Sequence, residues 1–203
     1  TSGLKYNVTP TVKIENASTG IKVSWSTAAN ATGYTVYRSQ YDTKTKKWSG
    51  WKNMGTAKAT KTSWVDKKVT SGVSYKYTVR AANGKILSSY KASGALIFLS
   101  QPTVKFANAA AGIKVSWSKV SGAAGYTVYR SELKDGKWTK WSDRGTAKSN
   151  KSSWVDKKVT SGVTYKYTVR AVNGKVKSSY TDTKGLNYLA QPTVQVKAVS
   201  NGI

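Results

Sequence analysis

Apolar and polar residues alternate through the segment 70–85, which reads TSGVSYKYTVRAANGK. Every second position is apolar or aromatic: Val73, Tyr75, Tyr77, Val79 and Ala81. The positions between them are polar or charged: Ser74, Lys76, Thr78 and Arg80. This period of two predicts a β-strand over 73–82 with one face buried and the other in water. Asn83 and Gly84 follow, and their tolerance of positive φ predicts a tight hairpin turn.

The same segment returns almost unchanged at 160–175, as TSGVTYKYTVRAVNGK. Upstream landmarks return as well: Trp25 recurs 92 positions later as Trp117. Trp48 recurs 90 positions later as Trp138, so two residues are lost in the polar stretch before it. We predict that this stretch is a surface loop, since length changes are tolerated there. A repeat of about 90 residues predicts two modules, each long enough to bury a modest core.

The repeat divides the chain into four predicted segments: 1–7, 8–100, 101–190 and 191–203. The two middle segments are complete modules. The first segment is predicted to end a preceding module, because its LKY matches the LNY near the end of the second complete module. The last is predicted to begin a following module, because QPTVQVKAVSNGI repeats QPTVKFANAAAGI. We therefore expect a piece of a longer array.

Each module is predicted to contain seven short strands and no helix. In the first module the predicted strands are 11–15, 20–26, 33–41, 48–57, 62–66, 73–82 and a bent strand at 86–99. Three residues of the second strand are predicted to point inward: Ile21, Val23 and Trp25. The third strand is predicted to place Tyr34, Val36 and Arg38 on one face. Four tryptophans are predicted to be core: Trp25, Trp64, Trp117 and Trp154. Short strands separated by Gly and Asn turns predict an all-β sandwich or barrel.

Three motifs resemble those of fibronectin type III modules: a Trp on the second strand, GYTVYR on the third, and VTSGVSYKYTV leading into the sixth. The resemblance covers both complete modules and implies two tandem seven-stranded immunoglobulin-like β-sandwiches. It also implies that Tyr75 and Tyr165 are corner tyrosines, whose hydroxyls bond to the backbone upstream. The segment IKVSWSKVSGAAGYTVYR further resembles a lysine-rich variant of these modules found in secreted or wall-attached proteins of Gram-positive bacteria. No Arg-Gly-Asp occurs, so integrin-type recognition is not supported.

The chain is strongly basic, with 34 Lys and Arg residues against 8 Asp and Glu and a formal net charge of +26. Residues 1–100 carry 16 basic and 3 acidic residues and residues 101–203 carry 18 and 5, so each half contributes +13. Such a field attracts polyanions, including wall polymers and sulfated glycans. Because Lys outnumbers Arg and is spread over many strands, we expect a generally electropositive surface and not a nucleic-acid site.

The residue types argue against catalysis. The chain contains neither Cys nor His, which excludes disulfides, Cys/His zinc sites and a histidine general base. Acids are few, so the paired carboxylates of a glycosidase are not expected. We interpret Asp66 and Asp156, each in a Trp-Val-Asp motif, as turn formers bonded to nearby backbone. We predict a non-enzyme without cofactor or metal, and no membrane span, because no run of about 18 apolar residues occurs.

Each module carries two tryptophans three residues apart beside lysines. The first set is Lys47, Trp48, Trp51 and Lys52; the second is Lys137, Trp138, Lys140 and Trp141. Since residues three apart on a strand face opposite sides, we expect one indole of each pair inward and one exposed, unless Gly50 marks a bulge. An exposed indole would stack on a sugar ring while the lysines meet anionic substituents. The alternative, which we favour, is that both indoles cover the sandwich edge and its loop.

The connection between the modules is short, since Pro102 stiffens a junction of four residues, LSQP. We expect part of the apolar cluster Ile97, Phe98 and Leu99 to pack against the neighbouring module. These features predict a stiff rod with a non-catalytic spacer role in an extracellular, secreted or surface-attached bacterial protein, whose partners are neighbouring modules of the same chain. Two alternatives stay open: binding of glycan or anionic wall polymer through the Trp/Lys edges, and binding of a host protein as an adhesin.

Overall fold

The computed structural model describes residues 8–195, which form strands joined by turns and loops, without a helix in that range. The predicted end of a preceding module, 1–7, lies outside the described residues, as does the 196–203 part of the predicted following module. Over 8–195 the strands fall into two groups, and each sheet is built within one group. The predicted all-β class is confirmed, while the module boundaries at 100 and 190 stay a prediction.

Each group contains nine strands in the described residues. In the first module they are β1 (Val12–Ala17), β2 (Gly20–Trp25), β3 (Gly33–Asp42), β4 (Lys47–Trp48), β5 (Lys52–Lys58), β6 (Ser63–Asp66), β7 (Ser74–Asn83), β8 (Ile86–Leu87) and β9 (Leu96–Ile97). In the second they are β10 (Val104–Ala109), β11 (Gly112–Trp117), β12 (Gly125–Lys134), β13 (Lys137–Trp138), β14 (Ser142–Lys148), β15 (Ser153–Asp156), β16 (Thr164–Asn173), β17 (Val176–Lys177) and β18 (Leu186–Asn187).

Two antiparallel sheets form each module. The smaller sheet of the first module has the order β1-β2-β6, and the larger is built around β3 and β7. Strand β3 pairs with β4, β5 and β7, and β7 also pairs with β8 and β9. The second module repeats this plan with β10-β11-β15 and a larger sheet around β12 and β16. This is the immunoglobulin-like sandwich arrangement, so the predicted fold of two tandem fibronectin type III-like sandwiches is confirmed.

The core of each module lies between its two sheets, where the alternating residues of both sheets meet. The three predicted inward residues of β2 are buried: Ile21, Val23 and Trp25. Trp117 is buried in the same way in the second module. Trp64 and Trp154, also predicted as core, are instead partly buried and pack against the margin of each core. They lie on the short strands β6 and β15, which end the smaller sheets.

Two predicted strands are interrupted. The predicted strand 48–57 consists of β4 and β5, separated by residues 49–51. The predicted bent strand 86–99 is reduced to β8 and β9, because serine hydroxyls replace part of the backbone pairing to β7. The N–H of Ala81 donates to Ser88 Oγ and that of Tyr77 donates to Ser93 Oγ, each at 3.0 Å. The predicted hairpin turn is present one residue later than expected, with Asn83 still paired to Ile86.

The corner tyrosines implied by the resemblance are present. The backbone N–H of Thr70 donates to the Tyr75 hydroxyl at 2.9 Å, and that of Thr160 donates to the Tyr165 hydroxyl at 3.0 Å. Both tyrosines are almost fully buried. The bonds tie the turn before β7 and β16 to the core, which explains why an apolar residue, a turn and a Tyr recur at this spacing.

The two modules are joined without a free linker. Phe98 belongs to the core cluster of the first module, whereas Leu99 belongs to that of the second. Two glycines face each other across the junction: a Cβ on Gly122 would lie 2.4 Å from the Cα of Gly72. Beside them the Ser71 hydroxyl donates to the carbonyl of Ser121 at 2.9 Å. The expectation that part of the apolar cluster packs against the neighbouring module is confirmed.

Candidate ligand-binding surface

The polar face of β7 and β16, which we predicted to lie in water, is largely covered. Thr78 and Thr168 are each only 2% exposed, and Lys166 is 7% exposed. The covering side chains are aromatic: Trp48, Trp51 and Tyr90 in the first module, and Trp138, Trp141 and Tyr180 in the second. The outer face of the larger sheet is therefore the place outside the core where aromatic groups and cations meet.

In the second module both tryptophans of the pair lie on this outer face. The Lys166 ammonium is 4.6 Å from the ring centroid of Trp138 and 5.1 Å from that of Trp141. The expectation of one inward and one exposed indole is therefore wrong. Both indoles lie on one face because the break between β13 and β14 interrupts the strand alternation between them. Lys140 stands there in place of Gly50, so the break does not depend on a glycine.

The first module shows a related arrangement. The Lys76 ammonium lies 4.3 Å from the Trp48 ring centroid. Trp48 also packs against Tyr41 with the ring centroids 5.3 Å apart, and Trp51 contacts Tyr90 edge-on at 5.9 Å. Each indole is half-buried. The two tryptophans of the second module thus share one lysine, whereas those of the first module have separate partners.

The four lysines predicted to accompany them behave differently. All four are exposed, and none takes part in a described cation–π contact: Lys47, Lys52, Lys137 and Lys140. The cations that lie over the indoles come from β7 and β16, as Lys76 and Lys166. The role predicted for the four exposed lysines, contact with anionic groups of a ligand, stays a prediction. The lysines that lie over the indoles follow from cross-strand register, since β3 brings β4 and β5 beside β7.

Trp138 combines a covering role with an open surface. A Cβ on Gly185 would lie 2.8 Å from its ring, so the indole packs directly on the backbone before β18. The lysine beneath it is held by Asp182, whose carboxylate oxygen is 2.8 Å from the Lys166 ammonium. Even so, 39% of Trp138 stays exposed. One side of the Trp138 ring therefore covers the sheet edge, as the favoured interpretation has it, and part of the ring stays accessible to solvent.

A cleft opens beside the second indole of this pair. It has a volume of about 150 Å³ and is lined by Tyr129, Trp141, Thr168, Arg170 and Tyr180; we call it the Trp141 cleft. Two of its rings, Trp141 and Tyr180, meet nearly edge-on with their centroids 6.1 Å apart. The Arg170 guanidinium lies over Tyr180, 5.5 Å from the ring centroid. Aromatic walls and one guanidinium thus converge in a small open space.

Polar groups in the Trp141 cleft are only partly satisfied. Arg170 donates from Nε to the carbonyl of Ser178 at 2.7 Å, and its two terminal nitrogens have no partner within residues 8–195. The Thr168 hydroxyl is buried and likewise lacks a hydrogen-bond partner in that range. At the rim, Lys177 donates to the Tyr129 hydroxyl at 2.9 Å. A buried polar group without a partner is uncommon and calls for an explanation.

A second, larger groove lies where the modules meet. It has a volume of about 690 Å³, and its lining includes Arg38, Asp42, Lys44 and Lys52 from the first module and Gly122 from the second. Backbone N–H groups of the loop donate to the Asp42 carboxylate, and these bonds lower its pKa. The groove is wide and polar, and its shape depends on the contact between the two modules.

A buried ion pair lies inside each sandwich. In the first module Arg38 donates to Asp66 at 2.8 Å, and the Tyr77 hydroxyl donates to the same carboxylate oxygen at 2.9 Å. Burial and the nearby Asp66 charge raise the pKa of Tyr77 well above its usual range. Asp66 also accepts the N–H of Lys68 at 2.9 Å, which agrees with its interpretation as a turn former. The ion pair was not predicted, although Arg38 had been predicted on the same face of its strand as Tyr34 and Val36.

The second module repeats this cluster with Arg130, Asp156 and Tyr167. Its arginine also lies 3.5 Å from Glu132, and Arg144 approaches Asp156 to 4.0 Å. Burial raises the pKa of Tyr167 above its usual range, as the Asp156 charge also does. Because the carboxylate is enclosed and fully bonded, the cluster links the two sheets and offers no open acid to a substrate.

Other kinds of site find no support in residues 8–195. That range holds no group of three or more His, Cys, Asp and Glu side chains able to bind a metal ion. The same residues contain no helix of the length and hydrophobicity needed to cross a membrane.

Comparisons with known proteins give partial likenesses. No protein-family model matches the chain. Among curated proteins, exoglucanase B of Cellulomonas fimi is 29% identical over 177 residues, which cover 76% of this chain and 14% of that protein. The chain therefore spans a small part of that relative.

Solved structures similar to the chain include a segment of two fibronectin type III domains from chicken tenascin. That segment is 17% identical, with a TM-score of 0.41, over 89% of this chain and 99% of the segment. The FN1–FN3 domains of chicken CNTN1 are 18% identical, with a TM-score of 0.42, over 93% of this chain and 70% of that one.

Proposed function

We propose that this chain is a non-catalytic spacer of a bacterial extracellular or cell-surface protein, which projects or positions other domains and contributes secondarily to adhesion. Its partners in this role are the neighbouring modules of the same chain. The observation that carries the proposal is the junction, where a side chain from the connection enters the next core and two glycine backbones touch.

The junction resists bending for two physical reasons. Leu99 is fully buried in the core of the second module, so rotation of that module would expose apolar surface. Gly72 and Gly122 approach too closely for any side chain, which leaves little room for relative movement. Such a contact differs from a flexible Gly/Ser-rich linker, whose ends move independently.

The similarity to exoglucanase B supports an accessory role. The match covers 14% of that protein and falls on a chain without Cys or His. An enzyme that acts on a glucan polymer works where the polymer is, which favours a place outside the cell. The lysine-rich sequence of both modules supports a Gram-positive source.

The test compares two glycines in equivalent turns. Gly72 and Gly162 both have positive φ, at 88° and 85°, but only Gly72 faces the neighbouring module. Gly72→Ala is expected to change small-angle X-ray scattering and the inter-module residual dipolar couplings, because its methyl group would meet Ser121 and Gly122. Gly162→Ala carries the same backbone strain and is expected to leave both measurements unchanged. Couplings that report independent tumbling of the two wild-type modules would refute the stiff spacer.

A second candidate function is binding of a glycan or anionic wall polymer through the tryptophan surfaces. It is favoured by one observation: Lys166 places a positive charge against two indoles, one of which is 39% exposed. Sugar rings stack on such faces, and the field of the chain attracts anionic polymers. Binding that is lost in the double variant Trp48→Ala, Trp138→Ala would support it. Binding that weakens with salt but is unaffected by the double variant would show that only the net positive charge of the chain attracts the polymer.

A further inference from the structure

We propose that the Trp141 cleft of the second module binds an acidic sugar residue of a polysaccharide chain, with the carboxylate or sulfate group on Arg170 and the sugar ring against Tyr180 and Trp141. The inference rests on the second candidate function and adds to it a site and a ligand class. Of the five residues that line the cleft, only Trp141 was among the predicted binding residues. The other four are new: Tyr129, Thr168, Arg170 and Tyr180.

The positive group of the site is prepared for an oxyanion. The bond from Arg170 Nε to the Ser178 carbonyl fixes the plane of the guanidinium, while both terminal nitrogens stay without a partner in the described chain. A guanidinium in this state presents two parallel N–H donors, the geometry that matches a carboxylate or sulfate. Lys177 adds a second cation at the rim through its contact with Tyr129. The acid Asp182 is paired with Lys166 and is not among the residues that line the cleft.

The floor of the cleft provides a hydroxyl group for a sugar. Thr168 is one of the residues that line the cavity, and its buried Oγ1 has no partner in the described residues. A buried hydroxyl without a hydrogen-bond partner destabilises the folded protein. A sugar hydroxyl can both donate to and accept from Thr168, so it would remove this cost on binding.

The size of the cleft points to one residue of a longer chain. Its volume of about 150 Å³ is smaller than the roughly 300–1,000 Å³ of pockets that enclose a drug-sized ligand. The rest of a polysaccharide would lie along the sheet surface towards the exposed side of Trp138. One ring in the cleft and another on Trp138 would share the binding.

The first module contains the same five residue types but closes one of the polar positions. Its counterparts are Tyr37, Trp51, Thr78, Arg80 and Tyr90. There the Thr78 hydroxyl donates to the Lys91 carbonyl at 3.1 Å, so this threonine hydroxyl already has a partner. Leu87 stands where the second module has Lys177, which removes the rim cation. The site is therefore assigned to the second module.

The experiment measures binding of three oligosaccharides and one polyanion to the intact chain by isothermal titration calorimetry. The probes are an oligogalacturonate, a heparin-derived oligosaccharide, neutral cellohexaose and polyphosphate. Arg170→Met and Arg80→Met remove the same charge from equivalent positions, so they separate the site from the field. We expect Arg170→Met to weaken binding of an acidic oligosaccharide about tenfold or more, and Arg80→Met to change it less than about twofold. Polyphosphate binding should fall equally in both variants.

A further variant tests the hydroxyl without disturbing the fold. Thr168→Val removes no protein hydrogen bond, so thermal stability is expected to stay the same while binding of the acidic oligosaccharide weakens. Preference for galacturonate or for the sulfated probe identifies the anionic group. Equal losses in Arg170→Met and Arg80→Met would overturn the assignment, as would cellohexaose binding as tight as the acidic probes. If Trp138→Ala abolishes binding while Arg170→Met does not, the glycan function stands and the Trp141 cleft fails. If no saccharide binds at all, both fail.

Discussion

The two modules of this chain share strand order, buried ion pair and paired tryptophans, yet equivalent residues lie in different surroundings. Leu99 is fully buried because it enters the core of the second module, whereas its counterpart Leu189 is 62% exposed. Gly122 touches Gly72 of the first module, and the residue equivalent to Gly122 is Asn30. Equivalent residues of the two modules therefore do not have the same surroundings, because the burial of a residue at a module end depends on the module next to it.

The outer faces differ in the same way. The hydroxyl of Thr78 is bonded to a carbonyl of its own module, while that of Thr168 has no partner in the described residues. The inner faces, by contrast, are nearly identical down to the distances between the ion-pair atoms. The comparison separates a constant core from variable ends and a variable sheet surface, and the predictions below test each part.

The largest effect is expected in the constant core. Asp66→Asn should lower the free energy of unfolding of the first module by about 3–5 kcal/mol, because it leaves the enclosed Arg38 without its counter-charge. Asp156→Asn should destabilise the second module less, because Arg130 keeps Glu132 at 3.5 Å. Urea unfolding followed by tryptophan fluorescence measures both. Glu15→Gln is the control, since its ion pair with Lys22 is exposed and worth at most about 1 kcal/mol. Losses in Asp66→Asn and Asp156→Asn as small as in Glu15→Gln would contradict the idea of a stabilising core ion pair.

The second prediction concerns the module ends. Leu99→Ala should destabilise the second module by about 2–5 kcal/mol through lost apolar burial. Leu189→Ala, at the equivalent exposed position, should change stability by less than about 0.5 kcal/mol. Differential scanning calorimetry of both variants provides the measurement. A similar loss in both variants would show that the exposed end is structurally as important as the junction.

The third prediction uses the buried tyrosines. The pKa of Tyr77 and Tyr167 is raised in the folded state, so the folded protein keeps these protons while the unfolded chain releases them above about pH 10. Their contribution to stability is complete below pH 10 and falls as the pH rises, by about 1.4 kcal/mol per pH unit for each tyrosine. Unfolding curves between pH 9 and 11 measure this slope. Tyr77→Phe should reduce this pH dependence by the contribution of one tyrosine. An unchanged slope would show that Tyr77 does not cause it.

The smallest effect is expected on the sheet surface. Thr78→Val should cost about 1 kcal/mol, because it removes the bond to the Lys91 carbonyl. Thr168→Val should cost nothing, because its hydroxyl has no protein partner in the described chain. Thermal unfolding of the two variants side by side gives the difference. A loss in Thr168→Val as large as in Thr78→Val would show that the two surfaces are equivalent after all.

Most of the fold was predictable because local rules act over a few residues. The alternation in 73–82 predicted β7 within one residue at each end. The corner tyrosine followed from the resemblance. The strand at 48–57 was not predicted as two pieces, because Gly50 was the one local hint of a break and the second module has Lys140 at that position.

The candidate site was predictable only in part. The tryptophans were found because large aromatic residues on a polar edge are conspicuous. Their cationic partners were not found, because Lys76 and Lys166 are about 25 residues away along the chain and meet the indoles through strand pairing. Arg170 and Thr168 lie in the strand that had been interpreted as a water-facing polar stripe.

By itself the sequence determined the class of the fold, the repeat of about 90 residues and the basic charge, because composition, periodicity and turn residues need no partner to be read. Tertiary structure alone decided which face each indole covers, which lysine it meets and which threonine stays unbonded. It also decided that Leu99, in the connection, is part of the core of the module that follows. These properties depend on which strand or module lies alongside, and two nearly identical stretches of sequence differ in that respect.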